Sequence, residues 1–388
     1  MFLAVTNTPR DYAWGSDSAI SELLGRTPSG RPEAELWLGA HPGSPSVVVA
    51  PARVGGADTL ADWIAAEPAR ALGPGRTELP FLLKVLAAGQ PLSIQAHPTP
   101  AQAVEGFERE EAAGVPLDAP HRNYKDRSAK PEIIVALSDA FDALCGFRPT
   151  DEVLADVDLL DAGSGRLAAL RASVAHSLGD TLAWLFDGGE ESRGVVDAVV
   201  GAARAVEQPT PNVRTVVDLA ERWPGDPGVV VSLLLHRVTL RRGEALYLPA
   251  GNAHAYLHGL GVELMAPSDN VLRGGLTPKH VDVPELLRVL VREPLPVPRL
   301  DPVDVAPGVE RFAPEGTGFA LLRVVPPRRG AVVEIDGPSI VLVTDGELEL
   351  TGQDGGIRLG RGESAYVTPD EVRVTVRGGG TAYVATPA

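Results

Sequence analysis

The stretch RGEALYLPAGNAHAYL, residues 242–257, decides the fold because its first half occurs twice in the chain. Arg242–Pro249 recurs as RGESAYVTP at residues 361–369. Each copy has the form of a glycine turn that feeds a strand ending at a proline. Two copies predict two related β-domains, and short strands separated by Gly and Pro turns are typical of a sandwich or jelly roll.

The two copies continue differently. The first runs into Asn252-Ala-His254, the second runs into Asp370-Glu-Val, and no histidine follows His280. If the repeat marks a metal-binding fold, only the first copy keeps a metal ligand. The alternative is that R-G-E is simply a favourable turn-to-strand sequence.

A polar strand face lies in PLSIQAHP, residues 91–98. Alternate side chains of an extended strand share a face, so Ser93, Gln95 and His97 point one way. A strand needs no such face for its own stability. It needs one if that face looks into a cavity with a polar or metal site.

The same alternation groups residues in two further segments. In KPEIIVAL Lys130 shares a face with Glu132, and in NAHAYL His254 shares one with Tyr256. Two imidazoles, one carboxylate and one amide oxygen suit a divalent metal of intermediate softness, with zinc the best match. The predicted ligands are Gln95, His97, Glu132 and His254. The alternative is that the histidines are hydrogen-bonded core residues.

Lysine usage points to the same segments. Of 35 Lys+Arg residues only four are lysines, Lys84, Lys125, Lys130 and Lys279, and all lie near the candidate ligands. Where arginine is the default cation, a lysine indicates a need for a compact, flexible ammonium group. The lysine pattern favours a functional role for Lys130 and Lys279 more than for Lys84 and Lys125. The alternative explanation is codon drift that happened to spare four lysine positions.

Composition narrows the class of protein. A chain of 388 residues predicts two or three domains, and a net charge of −16 argues against nucleic acid or an anionic membrane as partner. The single cysteine, Cys145, permits no intrachain disulfide, which fits a reducing cytoplasm. The N-terminal segment does not have the pattern of a signal peptide, and no apolar run approaches membrane-spanning length.

Local signals predict the order of the elements. Strands and turns are expected at 30–56 and 79–97, with a helix capped by Asp58 between them. A second helix should begin with a capping box from Thr99 to Gln102 and bury Val104 and Phe107. Strands should return at VVVSLLLHRVTL, a helix should run from Asp282 to Leu290, a linker should follow, and strands should fill the chain from about 309.

The predicted fold is mainly β with a helical insertion. The predicted domains are a metal-binding β-domain formed by 1–149 and 229–300, the helical insertion 150–228, and a metal-free β-domain 301–388. The chain has no phosphate-binding loop, dinucleotide-binding glycine motif or G-x-S-x-G elbow. Five histidines without ligand context are expected to be structural or exposed: His41, His121, His176, His236 and His258.

The motifs together resemble one known family, the type I mannose-6-phosphate isomerases (phosphomannose isomerases) of the cupin superfamily. The resemblance is carried by NTPRDYAWGS, ELWLGAHP, FLLKVLAAGQPLSIQAHP, YKDRSAKPEIIVAL and SDNVLRGGLTPKH, in the family's order. It implies two cupin-type jelly-roll β-domains with a helical domain between them. It also implies one zinc per chain, a sugar phosphate substrate and a monomer.

The resemblance assigns site residues. It places the zinc ligands on Gln95, His97, Glu132 and His254, and a catalytic arginine on Arg273. Further pocket positions fall on Ser93, Lys84, Lys130, Tyr256, Glu263, Asp269 and Lys279.

The implied reaction interconverts mannose 6-phosphate and fructose 6-phosphate through a cis-enediol. Arg273 would hydrogen-bond the enediolate through its planar fork. Lys279, Lys130 and Ser93 would anchor or orient the phosphorylated sugar. The proton carrier stays open among Glu263, Asp269, Lys130 and a water on the metal.

Two rival functions remain at this level. A cupin oxygenase normally presents two histidines and one carboxylate with open positions for iron and oxygen. The fourth ligand Gln95 and the cations Arg273 and Lys279 argue against it. The second rival is a cupin that binds a sugar phosphate without catalysis. The presence of every expected catalytic residue type argues against this function.

Overall fold

Nineteen strands form two antiparallel sheets in a computed structural model that describes residues 1–388. The strands of the first half are β1 Phe2–Thr6, β2 Glu35–Leu38, β3 Val47–Val48, β4 Leu82–Ala88, β5 Gln95–Ala96, β6 Glu132–Ala136, β7 Phe141–Phe147, β8 Leu235–Leu240, β9 Ala245–Leu248, β10 His254–Met265 and β11 Leu272–Arg273. The others are β12 Val303–Ala306, β13 Val309–Phe312, β14 Phe319–Val324, β15 Ala331–Glu334, β16 Ser339–Gly352, β17 Gly355–Gly360, β18 Ser364–Val367 and β19 Arg373–Pro387.

Eleven α-helices and one 3-10 helix, Pro51–Val54, accompany the sheets. They are α1 Ala19–Leu23, α2 Leu60–Ala66, α3 Pro68–Leu72, α4 Pro100–Ala112, α5 Thr150–Asp161, α6 Ala168–His176, α7 Leu178–Phe186, α8 Glu190–Ala205, α9 Pro211–Arg222, α10 Gly228–Leu234 and α11 Val283–Val289. None of them is long and apolar enough to cross a membrane. The predicted mainly β fold with a helical region is confirmed.

The long strand β10 organises the first sheet. Its first half, from His254, pairs with β5 and β7, and its second half, from Gly259, pairs with β4 and β6. Gly259 lies where the two halves of β10 meet, with φ +122, and a Cβ there would lie 2.9 Å from the carbonyl oxygen of Ala140. Because only glycine tolerates this backbone and this close approach, the residue lets one strand serve both halves of the sheet.

The second sheet takes strands from both ends of the chain. β1 pairs with β18 and with β3, and both N-terminal strands lie in the sheet formed by β12–β19. Residues 1–149 therefore contribute to both sheets, which the sequence did not indicate. One apolar core joins the two β regions, since Leu3, Leu83, Val262 and Ile340 belong to the same buried cluster.

Helices α5–α10 pack against β5 and β10, the strands that carry Gln95 and His254. Their shared core of 35 buried residues includes Ile94 and Ala96 around β5 and Ala255 of β10. The prediction of a strand from Val229 was wrong, because residues 228–234 form α10 and β8 begins only at Leu235. Every residue of α10 is buried, and a short apolar run buried on all sides has no periodicity that separates a helix from a strand.

Two of the predicted helix N-caps are confirmed, and a third lies at a neighbouring residue. Thr99 and Gln102 form the predicted capping box, and the Asp282 side chain caps α11. Before α2 the cap is Thr59, whose hydroxyl accepts from the Asp62 N–H, and not Asp58. The helix expected to continue from α2 breaks at Pro68, which begins α3, because proline lacks the N–H that an uninterrupted helix would use.

The buried face of α4 is smaller than predicted. The prediction was wrong for Val104, which is exposed, whereas Phe107 is partly buried against the helical core and Ala103 and Gly106 are buried. A Cβ on Gly106 would lie 2.4 Å from the ring of Tyr124. The helix thus presents small residues to a buried tyrosine, and Val104 lies on the exposed side.

Candidate metal centre and active site

Adjacent strands place three polar side chains in one row. Gln95 of β5 is in register with His254 of β10 on one side and with Arg273 of β11 on the other. Residues in register on neighbouring antiparallel strands have Cβ atoms about 4.5–5.5 Å apart. The sheet itself therefore brings an amide, an imidazole and a guanidinium group to the same edge.

Glu132 completes a cluster that could hold a metal ion. Its Oε1 lies 3.3 Å from His97 Nε2 and its Oε2 lies 3.4 Å from His254 Nε2. The ligand atoms of these three residues all lie within 4.8 Å of one another. The Gln95 amide nitrogen is 3.3 Å from His254 Nε2, and a half-turn of the amide would present its oxygen to the same centre.

Backbone carbonyls orient both imidazoles. His97 Nδ1 donates to the Asn270 carbonyl at 2.8 Å, and His254 Nδ1 donates to the Asn252 carbonyl at 3.0 Å. With the proton held at Nδ1, each Nε2 lone pair faces Glu132. This is the usual arrangement of a metal-binding histidine, in which the second nitrogen is fixed by an outer partner.

Buried atoms without partners test whether a metal fits. His97 Nε2 and Glu132 Oε2 are buried and have no hydrogen-bond partner. Burial lowers the pKa of His97 to about 4, so its Nε2 has no proton to donate at neutral pH. Lone pairs that face each other in a buried site are costly unless a cation lies between them. The donor set of two imidazoles, a carboxylate and an amide oxygen suits zinc.

Lys130 supports the charge of Glu132. Its Nζ lies 3.2 Å from Glu132 Oε1. Burial alone would raise the pKa of Glu132, but the Lys130 ammonium and the two histidines hold it well below its usual range. The centre therefore keeps an ionised carboxylate, the state that a metal ligand requires.

A second buried layer lies on β2, β4 and β10. Lys84 is in register with Trp37 on β2 and with Glu263 on β10. Lys84 Nζ lies 3.2 Å from Glu263 Oε2 and 3.5 Å from Glu35 Oε1. Burial would lower the pKa of Lys84, but the nearby carboxylates outweigh it and raise that pKa above its usual value.

Glu263 and Tyr256 have perturbed ionisation. Burial raises the pKa of Glu263, while Lys84 opposes the shift. Burial also raises the pKa of Tyr256 well above its usual value, so its hydroxyl stays protonated. That hydroxyl is buried without a hydrogen-bond partner, and the ring packs edge-on against Phe141. Tyr256 therefore has an unused donor.

Three cations without ion pairs lie close to one another. Arg273 is half-buried, and Lys279 and Lys125 are exposed. Burial, together with the charges of Arg273 and Lys125, lowers the pKa of Lys279. None of the three has a carboxylate within 4 Å, although the chain as a whole is strongly acidic. This surface has the character of an anion site.

Ser93 and Asp269, the remaining predicted site residues, are less buried than the metal ligands. Ser93 is half-buried, two residues from Gln95. Asp269 is exposed, and its Oδ2 lies 3.5 Å from Nε2 of His41. His41 was expected to be structural or exposed and without a ligand role. It is buried, and the charges of Asp269, Lys84 and Lys130 all act on it, so it belongs to the wall of this site.

Sequence reasoning also missed Asn270. Its carbonyl orients His97, its Oδ1 accepts from the backbone N–H of Lys125 at 2.7 Å, and its Nδ2 donates to the Ser128 carbonyl at 2.9 Å. Asn270 thus connects the metal centre, through its backbone carbonyl, to the loop that carries Lys125, through its side-chain amide. Strand alternation carries no signal for such a residue, because it lies in the irregular segment between β10 and β11.

Comparison with known proteins identifies close relatives. The family profile "Phosphomannose isomerase type I, catalytic domain" matches residues 2–150. Mannose-6-phosphate isomerase of Escherichia coli K12 is 38% identical over 388 residues, covering 96% of each chain. The human mannose-6-phosphate isomerase is 32% identical over 382 residues, covering 87% of this chain and 86% of its own.

Solved structures give the same result for the fold. A zinc-bound mannose 6-phosphate isomerase superposes with a TM-score of 0.90 at 34% identity, covering 100% of this chain and 99% of its own. The Salmonella typhimurium enzyme bound to fructose 6-phosphate and zinc gives the same TM-score, identity and coverage. The predicted cupin-type fold is confirmed by these neighbours.

Proposed function

This chain belongs to the type I phosphomannose isomerases, and from that membership we infer that the site described above interconverts mannose 6-phosphate and fructose 6-phosphate with zinc as its cofactor. One observation of the chain itself carries the inference. A buried cluster of metal-ligand type lies beside three cations that no carboxylate neutralises. A metal and a phosphate can therefore be held side by side.

The residues proposed to hold zinc are Gln95, His97, Glu132 and His254. When bound, zinc supplies Lewis-acid polarisation and orients the sugar oxygens. The reaction moves a hydrogen between C1 and C2, so the protein must also provide a proton carrier, a cation for the enediolate and an anchor for the phosphate. The chain's own residues supply these three parts.

We propose Arg273 as the group that stabilises the enediolate. It lies in register with Gln95 on the neighbouring strand, next to the metal centre, and no carboxylate forms an ion pair with it. Burial lowers its pKa, but an arginine remains charged at neutral pH. A planar fork of N–H donors can bind the negative oxygen as charge develops.

Among the predicted proton carriers, contacts favour Asp269. Lys130 is paired with Glu132 and Glu263 is paired with Lys84, whereas the Asp269 carboxylate is exposed and forms no ion pair with a lysine. Asp269 also precedes Asn270, whose carbonyl orients His97. We therefore propose Asp269 as the carboxylate that moves the proton, with Tyr256 and Ser93 as donors to the sugar hydroxyls.

The function is tested by a coupled isomerase assay on mannose 6-phosphate and glucose 6-phosphate, run together with metal analysis. We expect turnover of mannose 6-phosphate by a zinc-containing protein. A cupin oxygenase would instead contain iron and consume oxygen. A sugar-phosphate-binding protein without catalysis would bind mannose 6-phosphate and leave it unchanged.

Lys279→Ala should weaken substrate binding more than it slows turnover of bound substrate. A charge-assisted contact contributes on the order of 1.5–3 kcal/mol, which is about ten- to a hundred-fold in affinity. Steady-state kinetics should show the loss mainly in KM for mannose 6-phosphate. Any residual turnover of unphosphorylated mannose should not change, because that sugar lacks the anchored group.

Arg328→Ala serves as the control, since Arg328 is an exposed cation of the C-terminal region. It should leave KM unchanged. Equal losses for the phosphorylated and unphosphorylated sugars in Lys279→Ala would show that Lys279 serves the chemistry or the fold, and the phosphate assignment would pass to another cation.

We also propose that the protein is a monomer of the reducing cytoplasm, with no nucleic acid or membrane partner. The acidic net charge and a single, buried cysteine support this. Light scattering of the zinc-loaded protein checks the first part, with a mass near 40.7 kDa as the expected result.

A further inference from the structure

His41 lies in the loop after β2 with a fixed ring orientation. The imidazole packs edge-on against Trp37 at 4.9 Å between ring centres, and the residue is only 7% exposed. Its Nδ1 accepts a hydrogen bond from the Gly43 backbone N–H at 3.1 Å. A Cβ at Gly43 would lie 3.2 Å from Nδ1, so glycine at this position leaves room for the contact.

These contacts fix the protonation of the ring. Because Nδ1 accepts from Gly43, the proton of the neutral imidazole lies on Nε2. Burial lowers the pKa of His41, which favours the neutral form despite the opposing charge of Asp269. Nε2, the nitrogen that carries the N–H, lies 3.5 Å from Asp269 Oδ2.

Asp269 has no other support for its carboxylate. Its backbone N–H donates to Asp126 Oδ2 at 2.9 Å, which fixes the main chain, but no other residue binds the side chain. The side chain is 50% exposed. Without His41 the carboxylate would be free to turn into solvent.

We propose that His41 is a positioning residue that aims the Asp269 carboxylate at the sugar, an inference that rests on the isomerase function proposed above. His41 itself does not touch the reacting atoms. The 3.5 Å separation is longer than an ideal hydrogen bond, and such contacts commonly tighten when substrate binds. A misplaced proton carrier slows the chemical step more than it weakens binding.

Replacing His41 with asparagine or with glutamine distinguishes a positioning role from a packing role, because the two side chains differ in length. In His41→Asn the side-chain oxygen can still accept from Gly43, but the amide is too short to reach Asp269. In His41→Gln the amide nitrogen occupies the place of Nε2 and can donate to Asp269. We expect a loss of about ten-fold or more in kcat for H41N, a smaller change in KM, and recovery of most of that turnover in H41Q.

A double-mutant cycle with Asp269→Asn completes the test. If His41 acts through Asp269, adding H41N to D269N should cause little further loss of kcat, because the two residues act as a unit. Zinc content and the midpoint of thermal unfolding should match wild type in H41N. His176→Asn is the matched control, since that side chain is 82% exposed on α6.

Several outcomes would overturn the assignment. Wild-type kcat in H41N, H41Q as slow as H41N, or losses that add fully in the double variant would each show that His41 does not position Asp269. Loss of zinc or of the folded state in both His41 variants would give it a structural role instead. A wild-type protein that turns over neither sugar phosphate would refute the isomerase function itself, which is a separate result.

Discussion

Removal of zinc should abolish isomerase activity, and restoring one zinc per chain should recover it. The expectation follows from His97 Nε2 and Glu132 Oε2, which are buried and unpartnered when no cation joins them. Only one cluster of histidine and carboxylate groups has this geometry. Elemental analysis and activity should be followed together as zinc is titrated into chelator-treated protein.

Glu132→Gln tests the same centre without a chelator. The substitution keeps the shape of the side chain but removes the only anionic ligand, so zinc affinity should fall by more than about a hundred-fold. Glu315→Gln, an exposed carboxylate in a loop, is the control and should bind zinc normally. Two metals per wild-type chain, or full activity without metal, would contradict the predicted centre.

Arg273→Lys should lose most turnover while its zinc content stays normal. Lysine keeps the charge but replaces a planar fork of donors with a single ammonium group on a flexible stem. Removal of one preorganised donor to a developing oxyanion typically costs about 10²–10³-fold in kcat. The loss should appear in kcat more than in KM, because the enediolate forms only along the reaction path.

Arg328→Lys provides the matched comparison at an exposed position and should behave as wild type. An Arg273→Lys protein with near wild-type kcat would show that Arg273 is a structural or phosphate-binding residue. A loss confined to KM would indicate the same. Loss of zinc in Arg273→Lys would instead indicate that the substitution disturbs the neighbouring zinc ligand Gln95.

Strand alternation was enough to group part of the site. It placed Gln95 with His97, and Lys130 with Glu132, and the structure brings these pairs to one centre. It could not place Tyr256 and Glu263 on the same side, since they have opposite parity. The register of β10 shifts between Tyr256 and His258, and that bulge reverses the parity of the residues beyond it.

Other features depend on contacts that sequence pattern does not encode. His41 and Asn270 lie in irregular segments outside the strands, where no periodicity assigns a side chain to a face. α10 is apolar at nearly every position, so its helical form is set by surrounding helices rather than by its own sequence. The pairing of β1 with β18 joins residues from opposite ends of the chain, and no local signal reports a partner at that distance.

That last pairing has a consequence for synthesis on the ribosome. The Ser364 hydroxyl of β18 donates to the carbonyl of Val5 in β1, across a separation of 359 residues. A nascent chain must therefore expose one edge of β1, with Leu3 and Val5 that are buried in the folded protein, until β18 has emerged from the ribosome. Such edges pair with other chains, so this step is where chaperones would be most needed.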